Sequence, residues 1–388
     1  MIHERARWGM LELRRIRRAV TLIAAALVLF AAVLGAVAQE EKLAPAARAK
    51  FEEAVSKFMA GSHAPGISAA VVENGELVWS EGFGLADLEN SVPANSRTLY
   101  RLGSVSKPLT ATAAMKLWES GKIDLDAPVQ KYCPAFPQKE WPITTRELLG
   151  HLGGIRHYKS ESLDDPEVGN TKHFESMADG IKFFANDPLV AKPGTEFHYS
   201  TQGYTLVGCA IEGASGEKFV DYIRENIFLP AGMVETQADD LIAIIPHRTR
   251  YYSKNKSGVV VNADLLDSSY KIPGGGLISS ADDMARFEIA MLSDTVIKRA
   301  TRDVMWTPQK TAEGKQNGYA LGWGTGTHEG IFEIGHNGSQ QGASTAIILA
   351  PEKRDAVVVL INMDEVDARA LADQLLKLVL AATPAAAN

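Results

Sequence analysis

The sequence predicts an α/β fold of the α+β sandwich type, with an antiparallel sheet of about five strands, flanking helices and an inserted all-helical region. Apolar segments at residues 67–72 and 77–79 flank Asn74-Gly75, a pair that accepts the positive φ angles of a hairpin turn. Strand-like segments return only near the end of the chain, and the middle has helical patterns and loops. One sheet is therefore expected to combine both ends of the chain.

The elements follow in a simple order. A helix is predicted at residues 47–59, ahead of the hairpin, and another begins at Ser104 and ends at Gly121. Later helices are predicted at residues 145–152, 174–184, 199–213, 218–227, 281–292 and 366–380. Later strands are predicted at residues 319–323, 331–334, 344–349 and 356–361.

The N-terminal segment has the three parts of a secretory signal. Four arginines within residues 14–18 precede an apolar run at residues 19–34 and the small residues Ala36-Val37-Ala38. Cleavage is expected after Ala38, with an uncleaved membrane anchor as the alternative. Both predict a secreted or periplasmic protein, or one anchored to face outside the cytoplasm. The predicted organisation is a signal at 1–38, a linker at 39–46, one large domain at 47–380 and a disordered tail at 381–388.

Composition excludes several classes of protein. The net charge is −7 and no basic block follows the N-terminal segment, so nucleic acid is not expected as a partner. The nine histidines lack metal-ligand spacing, and neither a metal nor another cofactor is expected. Cys133 and Cys209 are the two cysteines, and either a disulfide or two buried thiols fits a domain of this size.

Ser104-Val105-Ser106-Lys107 forms an S-x-x-K motif at the predicted first turn of a helix. Residues three apart share a helix face, so the Lys107 amine can approach the Ser104 oxygen. Lys107 can act as a base only if burial or a nearby positive group lowers its pKa. Because the motif is short, its chemistry depends on partners elsewhere in the chain.

Two later segments could supply these partners. Tyr199 has a phenol that could relay a proton, and His336-Asn337-Gly338-Ser339 follows a predicted strand. Gly338 would let a substrate lie along the strand edge, and the Ser339 N–H would join that of Ser104 in holding an oxyanion. The ordinary alternatives are a half-buried tyrosine, a simple turn and a solvated lysine.

In this order and at these intervals, the three motifs resemble the serine β-lactamase and penicillin-binding-protein superfamily. The similarity is to the class C-like and D-alanyl-D-alanine carboxypeptidase-like branch, which includes the family VIII carboxylesterases. Residues 100–104, 143–151 and 273–279 are similar to family landmarks, and residues 153–158 and 267–271 are similar to mitochondrial β-lactamase-like proteins.

The resemblance implies a β-lactamase/transpeptidase-like fold and a covalent acyl-enzyme cycle that needs no cofactor. It implies that Ser104 attacks a carbonyl, that Lys107 and Tyr199 move the proton, and that the Ser104 and Ser339 amides hold the oxyanion. The remaining implied substrate-binding residues are His336, Gly338 and Thr201.

Two positions depart from the class C pattern. Thr201 stands where an asparagine is usual, and His336 stands where a lysine is usual. A neutral histidine donates a hydrogen bond but supplies little charge. Esters and peptides therefore fit this chain better than anionic β-lactams do.

The sequence thus predicts an exported serine hydrolase that forms an acyl-enzyme on Ser104 with ester, amide or peptide substrates, and that can also hydrolyse β-lactams. One alternative is a true class C-like β-lactamase or D-Ala-D-Ala carboxypeptidase. Another is a non-catalytic penicillin-binding or filament-forming protein. The expected partners are a small-molecule or peptide substrate and further copies of the chain, with membrane contact only through an uncleaved N-terminal segment.

Overall fold

The computed structural model describes residues 43–160 and 162–382, and the described residues from Ala46 onward belong to one compact unit. The predicted signal at residues 1–38 lies outside the described residues, as do residues 383–388 of the predicted tail. Residues 45 and 46 of the predicted linker and residues 381 and 382 of the predicted tail are helical. In the described part of the chain, no helix has both the length and the apolar character needed to cross a membrane.

The structure alternates strands with helices and short turns. The strands are β1 (Gly66–Glu73), β2 (Glu76–Asp87), β3 (Val92–Pro93), β4 (Tyr100–Arg101), β5 (Gln237–Ala238), β6 (Tyr252–Lys254), β7 (Val260–Asn262), β8 (Leu277–Ser279), β9 (Gly324–His328), β10 (Ile331–Gln340), β11 (Ala343–Ala350) and β12 (Asp355–Ile361). The helices are α1 (Pro45–Ser62), α2 (Ser106–Glu119), α3 (Thr145–Leu149), α4 (Met177–Gly180), α5 (Thr201–Ser215), α6 (Phe219–Ile223), α7 (Leu229–Ala231), α8 (Ile272–Gly275), α9 (Ala281–Met291), α10 (Arg299–Met305) and α11 (Ala368–Ala382). Single 3₁₀ turns occupy Gly103–Val105, Val129–Lys131, Ile181–Phe183 and Ser269–Lys271, and a π-helical turn occupies Arg224–Phe228.

The main sheet has seven strands in the order β3-β2-β1-β12-β11-β10-β9, and every neighbouring pair is antiparallel. The first strand pairs directly with the last, with Ile67 opposite Ile361. This pairing confirms the predicted fold class, because one sheet combines both ends of the chain.

The five central strands lie where the sequence predicts strands or extend those segments, and the two edge strands were missed. β3 has two residues, and β9 alternates glycine with threonine and has no buried residue. Neither has the apolar alternation by which a strand is recognised. The predicted strand at residues 319–323 is wrong: this segment is irregular, and β9 begins immediately after it.

The core forms on both faces of the central strands. β11 and β12 are buried along their whole lengths, and β1 is buried except at its last residue. Helix α9 packs against β1 and β12, and α11 packs against β11 and β12. Because these strands are rich in valine, isoleucine and alanine, burying them supplies the main favourable free energy of folding.

A small second sheet fixes the segment that leads to Ser104. β4 pairs with β8, with Tyr100 opposite Ser279, and the Leu102 N–H donates to the Leu277 carbonyl at 2.9 Å. These bonds hold the turn that contains Ser104 beside α8. In the helical region, Cys133 and Cys209 form a disulfide with their Cα atoms 5.5 Å apart, which is one of the two arrangements that the sequence left open.

Glu288 on α9 provides a test of the core. Its side chain is fully buried, and neither carboxylate oxygen has a hydrogen-bond partner among the described residues. Burial raises the pKa of Glu288 well above its usual value. A carboxyl group whose pKa is raised in the folded state destabilises the protein at pH values above its pKa in the unfolded chain, because there only the unfolded chain ionises freely.

Glu288→Gln is therefore expected to raise the free energy of unfolding at neutral pH by more than about 1 kcal/mol, because each unit of raised pKa corresponds to about 1.4 kcal/mol. The gain should disappear near about pH 4, where the unfolded carboxyl is also protonated. Urea denaturation at both pH values measures this difference. The control Glu53→Gln changes an exposed glutamate on α1 and should have little effect at either pH. An equal gain at both pH values for Glu288→Gln would contradict the prediction.

Candidate active site

Ser104 lies in the 3₁₀ turn that leads directly into α2. Its side chain is half-buried, whereas its neighbours Gly103 and Val105 are buried. Gly103 has a φ of 51°, a left-handed conformation that glycine adopts without strain. The turn therefore presents the Ser104 hydroxyl from a rigid support.

Lys107 is fully buried one turn further along the chain. Its Nζ lies 3.0 Å from Ser104 Oγ, and it also donates to Thr201 Oγ1 at 3.2 Å and to the Gly274 carbonyl at 2.7 Å. All three partners are neutral, and no carboxylate forms an ion pair with Lys107 in the described part of the chain. The amine is held by three separate elements without a counter-ion.

This environment determines the protonation of Lys107. Burial lowers the pKa of the amine well below its usual value, and the positive charge of Lys271 lowers it further. These are the two conditions under which a lysine can serve as a base. An uncharged amine 3.0 Å from a hydroxyl can accept its proton.

Tyr199 is half-buried and lies just before α5, whose first turn is capped by Ser200 Oγ accepting from the Gly203 N–H at 2.9 Å. The centre of the Tyr199 ring is 4.7 Å from Lys107 Nζ. Burial raises the pKa of the phenol well above its usual value, and the Ser104 hydroxyl acts in the opposite direction. Tyr199 therefore stays protonated at neutral pH, as a proton relay requires.

The edge of β10 lies against the Ser104 turn. Pairing between β10 and β9 ends at Gly335 and Gly324, so the rest of this strand edge is left free by β9. A Cβ atom added at Gly103 would lie 2.9 Å from Ser339 N, and one added at Gly338 would lie 2.1 Å from the Leu102 carbonyl oxygen. Gly338 thus allows the strand to approach the turn, and the Ser339 amide comes beside the residue that precedes Ser104.

His336 differs from its predicted role. Its Nδ1 lies 2.7 Å from the Asn337 carbonyl oxygen, which can only accept, so Nδ1 carries the proton and donates. Its Nε2 accepts from the Tyr319 hydroxyl at 2.8 Å. Burial, followed by the charge of Lys107, lowers the pKa of His336 to about 3. Both ring nitrogens are engaged within the protein, so no His336 donor faces a substrate.

Thr201 replaces the usual asparagine with a hydroxyl that accepts from Lys107. Its N–H donates to Nδ1 of His157 at 3.3 Å. Burial, followed by the charge of Lys107, lowers the pKa of His157 to about 4, so this acceptor stays neutral. Thr201 was predicted to bind substrate, and the structure also gives it the role of holding the lysine.

A cavity of about 320 Å³ opens beside Ser104. Of the four residues that the sequence analysis expects to bind substrate beside Ser104, Thr201 and Ser339 line this cavity, whereas His336 and Gly338 do not. Tyr199 and His336 instead line a neighbouring cavity of about 340 Å³. The lining residues that the sequence analysis missed are His157, Tyr158, Ser160, Val168, Lys271, Gln340 and Gln341.

Lys271 is the most informative of the missed residues. It is 5% exposed, and its Nζ donates to the Tyr158 hydroxyl at 3.2 Å. In the sequence, the segment 267–271 shows only a resemblance to mitochondrial β-lactamase-like proteins, and no role for Lys271 follows from it. The one local signal is a lysine between Tyr270 and Ile272, two residues before Pro273-Gly274-Gly275-Gly276, and that pattern alone does not indicate a site.

The wall of the cavity is braced by a network of charged side chains. Arg156 contacts both oxygens of Glu167, at 2.6 and 2.8 Å, and it contacts Asp187 at 2.6 Å. Gln202 on α5 donates to Glu167 at 2.7 Å. Because bidentate arginine–carboxylate contacts are directional, this network fixes the loop after Ile155 against the start of α5.

One group of metal-ligating side chains occurs in the described part of the chain. Ligand atoms of His328, Glu333 and Asp373 lie within 4.8 Å of one another. Arg369 forms ion pairs with both acids, so a cationic side chain already lies among them. The expectation that the chain binds no metal stays a prediction.

Comparison with known proteins identifies the family. The Beta-lactamase family profile matches residues 51–381. The serine beta-lactamase-like protein LACTB, mitochondrial, of Homo sapiens is 33% identical over 76% of this chain and 70% of its own length. Penicillin-binding protein 4* of Bacillus subtilis is 28% identical over 76% of this chain and 67% of its own length. The octameric penicillin-binding protein homologue from Pyrococcus abyssi superposes with a TM-score of 0.75 and 29% identity, covering 87% of this chain and 78% of that one. These matches confirm the resemblance drawn from the motifs.

The comparison also corrects the predicted location. The LACTB relatives of Homo sapiens, Mus musculus and Bos taurus are named as mitochondrial proteins, so the expectation of a secreted or periplasmic protein is wrong. Mitochondrial presequences are rich in arginine and poor in acids, and secretory signals also begin with a basic stretch. The basic N-terminal pattern therefore does not distinguish the two destinations.

Gly103 and Gly121 allow a test of the turn geometry. Both have positive φ, at 51° and 72°, but a Cβ atom at Gly121 would meet nothing within 4 Å. Each alanine variant should lose about 1 kcal/mol of stability from backbone strain. Only Gly103→Ala displaces Ser339, and it is expected to slow the labelling of Ser104 by a fluorophosphonate about 100-fold. Equal labelling rates in the two variants would show that the close approach of Gly103 to the Ser339 amide does not affect the reactivity of Ser104.

Proposed function

Because the chain belongs to the Beta-lactamase family, we propose that it is a serine hydrolase that forms an acyl-enzyme on Ser104. Its substrates are esters, amides or peptides. The observation that carries the proposal is the 3.0 Å contact between Ser104 Oγ and the amine of a fully buried Lys107. Burial lowers the pKa of that amine, so it can act as a base.

In the proposed cycle, Ser104 Oγ attacks the substrate carbonyl while its proton passes to Lys107 Nζ. The carbonyl oxygen becomes an oxyanion that the Ser104 and Ser339 amides stabilise. The bond to the leaving group then breaks, and that group takes the proton through the Tyr199 phenol. Water attacks the acyl-enzyme by the reverse proton route, which releases the acid and restores Ser104.

The engagement of His336 limits the range of substrates. A neutral, fully bonded histidine supplies no cation at the position where class C-like enzymes have lysine. We therefore place ester, amide and peptide cleavage first, with β-lactam hydrolysis as a secondary activity. The Bacillus subtilis relative is named a penicillin-binding protein, which supports including a penicillin among the probes.

Self-association is a further part of the proposal. The relative from Pyrococcus abyssi is described as octameric, and its similarity to this chain supports assembly of several copies. Assembly and hydrolysis do not exclude each other.

Intact-protein mass spectrometry tests the nucleophile. The protein is mixed separately with a fluorophosphonate, a penicillin and a p-nitrophenyl ester, and each adduct is mapped. We expect adducts on Ser104 that are absent in Ser104→Ala. The control Ser106→Ala, which removes a buried hydroxyl, should keep them. Absence of an adduct with every reagent would indicate a non-catalytic binding or assembly protein instead.

The pH profile tests the base. Because the Lys107 pKa is lowered, kcat/KM for a neutral ester should decrease on acidification and should reach its plateau well below the ordinary lysine pKa of about 10.4. Lys107→Arg should be inactive throughout, since a guanidinium stays protonated. Circular dichroism over the same range controls for unfolding. A wild-type rate that still rises tenfold per pH unit near about pH 10 would exclude a neutral Lys107 as base.

A further inference from the structure

We propose that Lys271 binds a carboxylate of the substrate in the cavity beside Ser104, so that the preferred substrates are anionic esters, amides or peptides. The inference rests on the proposed function for the reaction, and it adds a substrate class and a specificity-determining residue.

Lys271 is a buried lysine that has no acidic partner in the described part of the chain. The residue is 5% exposed, and its Nζ makes one hydrogen bond, to the Tyr158 hydroxyl at 3.2 Å. The rings of Tyr158 and Tyr270 lie 5.3 and 5.5 Å from Nζ, which compensates the charge in part. No ion pair joins Lys271 to an acid within residues 43–160 and 162–382. A buried ammonium in this situation gains free energy from an incoming anion.

The two buried acids on the segments that lead to Lys271 and to the cavity are already paired. Asp267 lies 3.0 Å from His173 Nδ1 and accepts from the Ser269 N–H at 2.8 Å. Glu167 is held by Arg156 and Gln202. Neither carboxylate can turn toward Lys271 without breaking these contacts.

The position of Lys271 directs its charge to the reaction site. Lys271 and Ser104 line the same cavity, and Lys271 immediately precedes α8, whose Gly274 carbonyl accepts from Lys107. The cavity volume of about 320 Å³ suits a small substrate or a short peptide end. A carboxylate bound at Lys271 would therefore belong to a molecule whose carbonyl can reach Ser104.

The chemistry of the cavity favours a carboxylate over a phosphate. Lys271 is the one lysine or arginine among the described residues that line this cavity, and Tyr158 adds a hydroxyl next to it. One ammonium and one hydroxyl match the single charge and two oxygens of a carboxylate. Phosphate groups with two charges are usually bound by arginines or by several cations.

Matched substrates test the proposal. Mono-p-nitrophenyl adipate and p-nitrophenyl adipamate differ only in an acyl-side carboxylate or amide, and p-acetoxybenzoate and p-acetoxybenzamide differ likewise on the leaving-group side. For Lys271→Met we expect KM for the acid of at least one pair to rise about 10- to 100-fold, as for loss of a charged hydrogen bond, with the neutral partner changed less than about twofold. Lys271→Arg should keep part of the preference for the acid.

The same comparison separates two roles of Lys271. If the lysine acts only by its charge on Lys107, Lys271→Met should reduce kcat/KM equally for the acid and the amide of both pairs, and that result would overturn the proposal. The matched control is Lys192→Met, which removes an exposed lysine that does not line the cavity. It should leave every KM unchanged.

A binding measurement keeps the proposal independent of turnover. Calorimetric titration of Ser104→Ala with adipate and with adipamide should show tighter binding of adipate, and the added Lys271→Met change should abolish the difference. Equal binding of adipate and adipamide to Ser104→Ala would reject the carboxylate site. Failure of hydrolysis with normal adipate preference would instead reject the proposed function and retain the site.

Discussion

The burial of Lys107, which has no counter-ion among the residues that the structure describes, is the constraint on which the rest of the active site depends. An ammonium in this position would lose its hydration, so the neutral amine is favoured. The amine is satisfied by neighbours on three elements: the Ser104 turn, Thr201 at the start of α5 and Gly274 in α8. The fold must therefore hold these elements in register, and a small shift of any one would leave a buried polar group unpaired.

Close backbone packing meets that requirement on the other side of Ser104. Gly103 and Gly338 let the Ser104 turn and β10 approach until side chains would no longer fit. Arg101, three residues before Ser104, is buried and paired with Asp239 at 2.7 Å, and it donates to the carbonyl of Gln341 just after β10. Loss of Asp239 would leave the buried charge of Arg101 uncompensated, so the ion pair holds Arg101 in place. The hydrogen bond from Arg101 to Gln341 then fixes the Ser104 turn relative to β10.

The features that the sequence predicts correctly are those that depend on residues close together in the chain. The Asn74-Gly75 hairpin and the apolar runs of β11 and β12 have patterns that hardly depend on their surroundings, and Ser104 and Lys107 meet through helical spacing alone. β9 was not predicted because it lacks an apolar face, and it forms a strand only through its pairing with β10. The engagement of His336 with Tyr319 could not be read from the chain, since it depends on which face of β10 packs inward. Lys271 has no local pattern, because its importance comes from its burial without an ion pair among the described residues, which is a feature of the three-dimensional structure.

The two lysines of the site act on each other, and the order of the effects matters. The charge of Lys271 lowers the Lys107 pKa, but burial is the larger cause. A substrate carboxylate at Lys271 would cancel part of that charge and let the Lys107 pKa rise. If the charge were the main cause, binding such a substrate would switch off the base that must act on it. Because burial dominates, and a bound substrate excludes more water, Lys107 stays neutral while Lys271 is free to hold an anion.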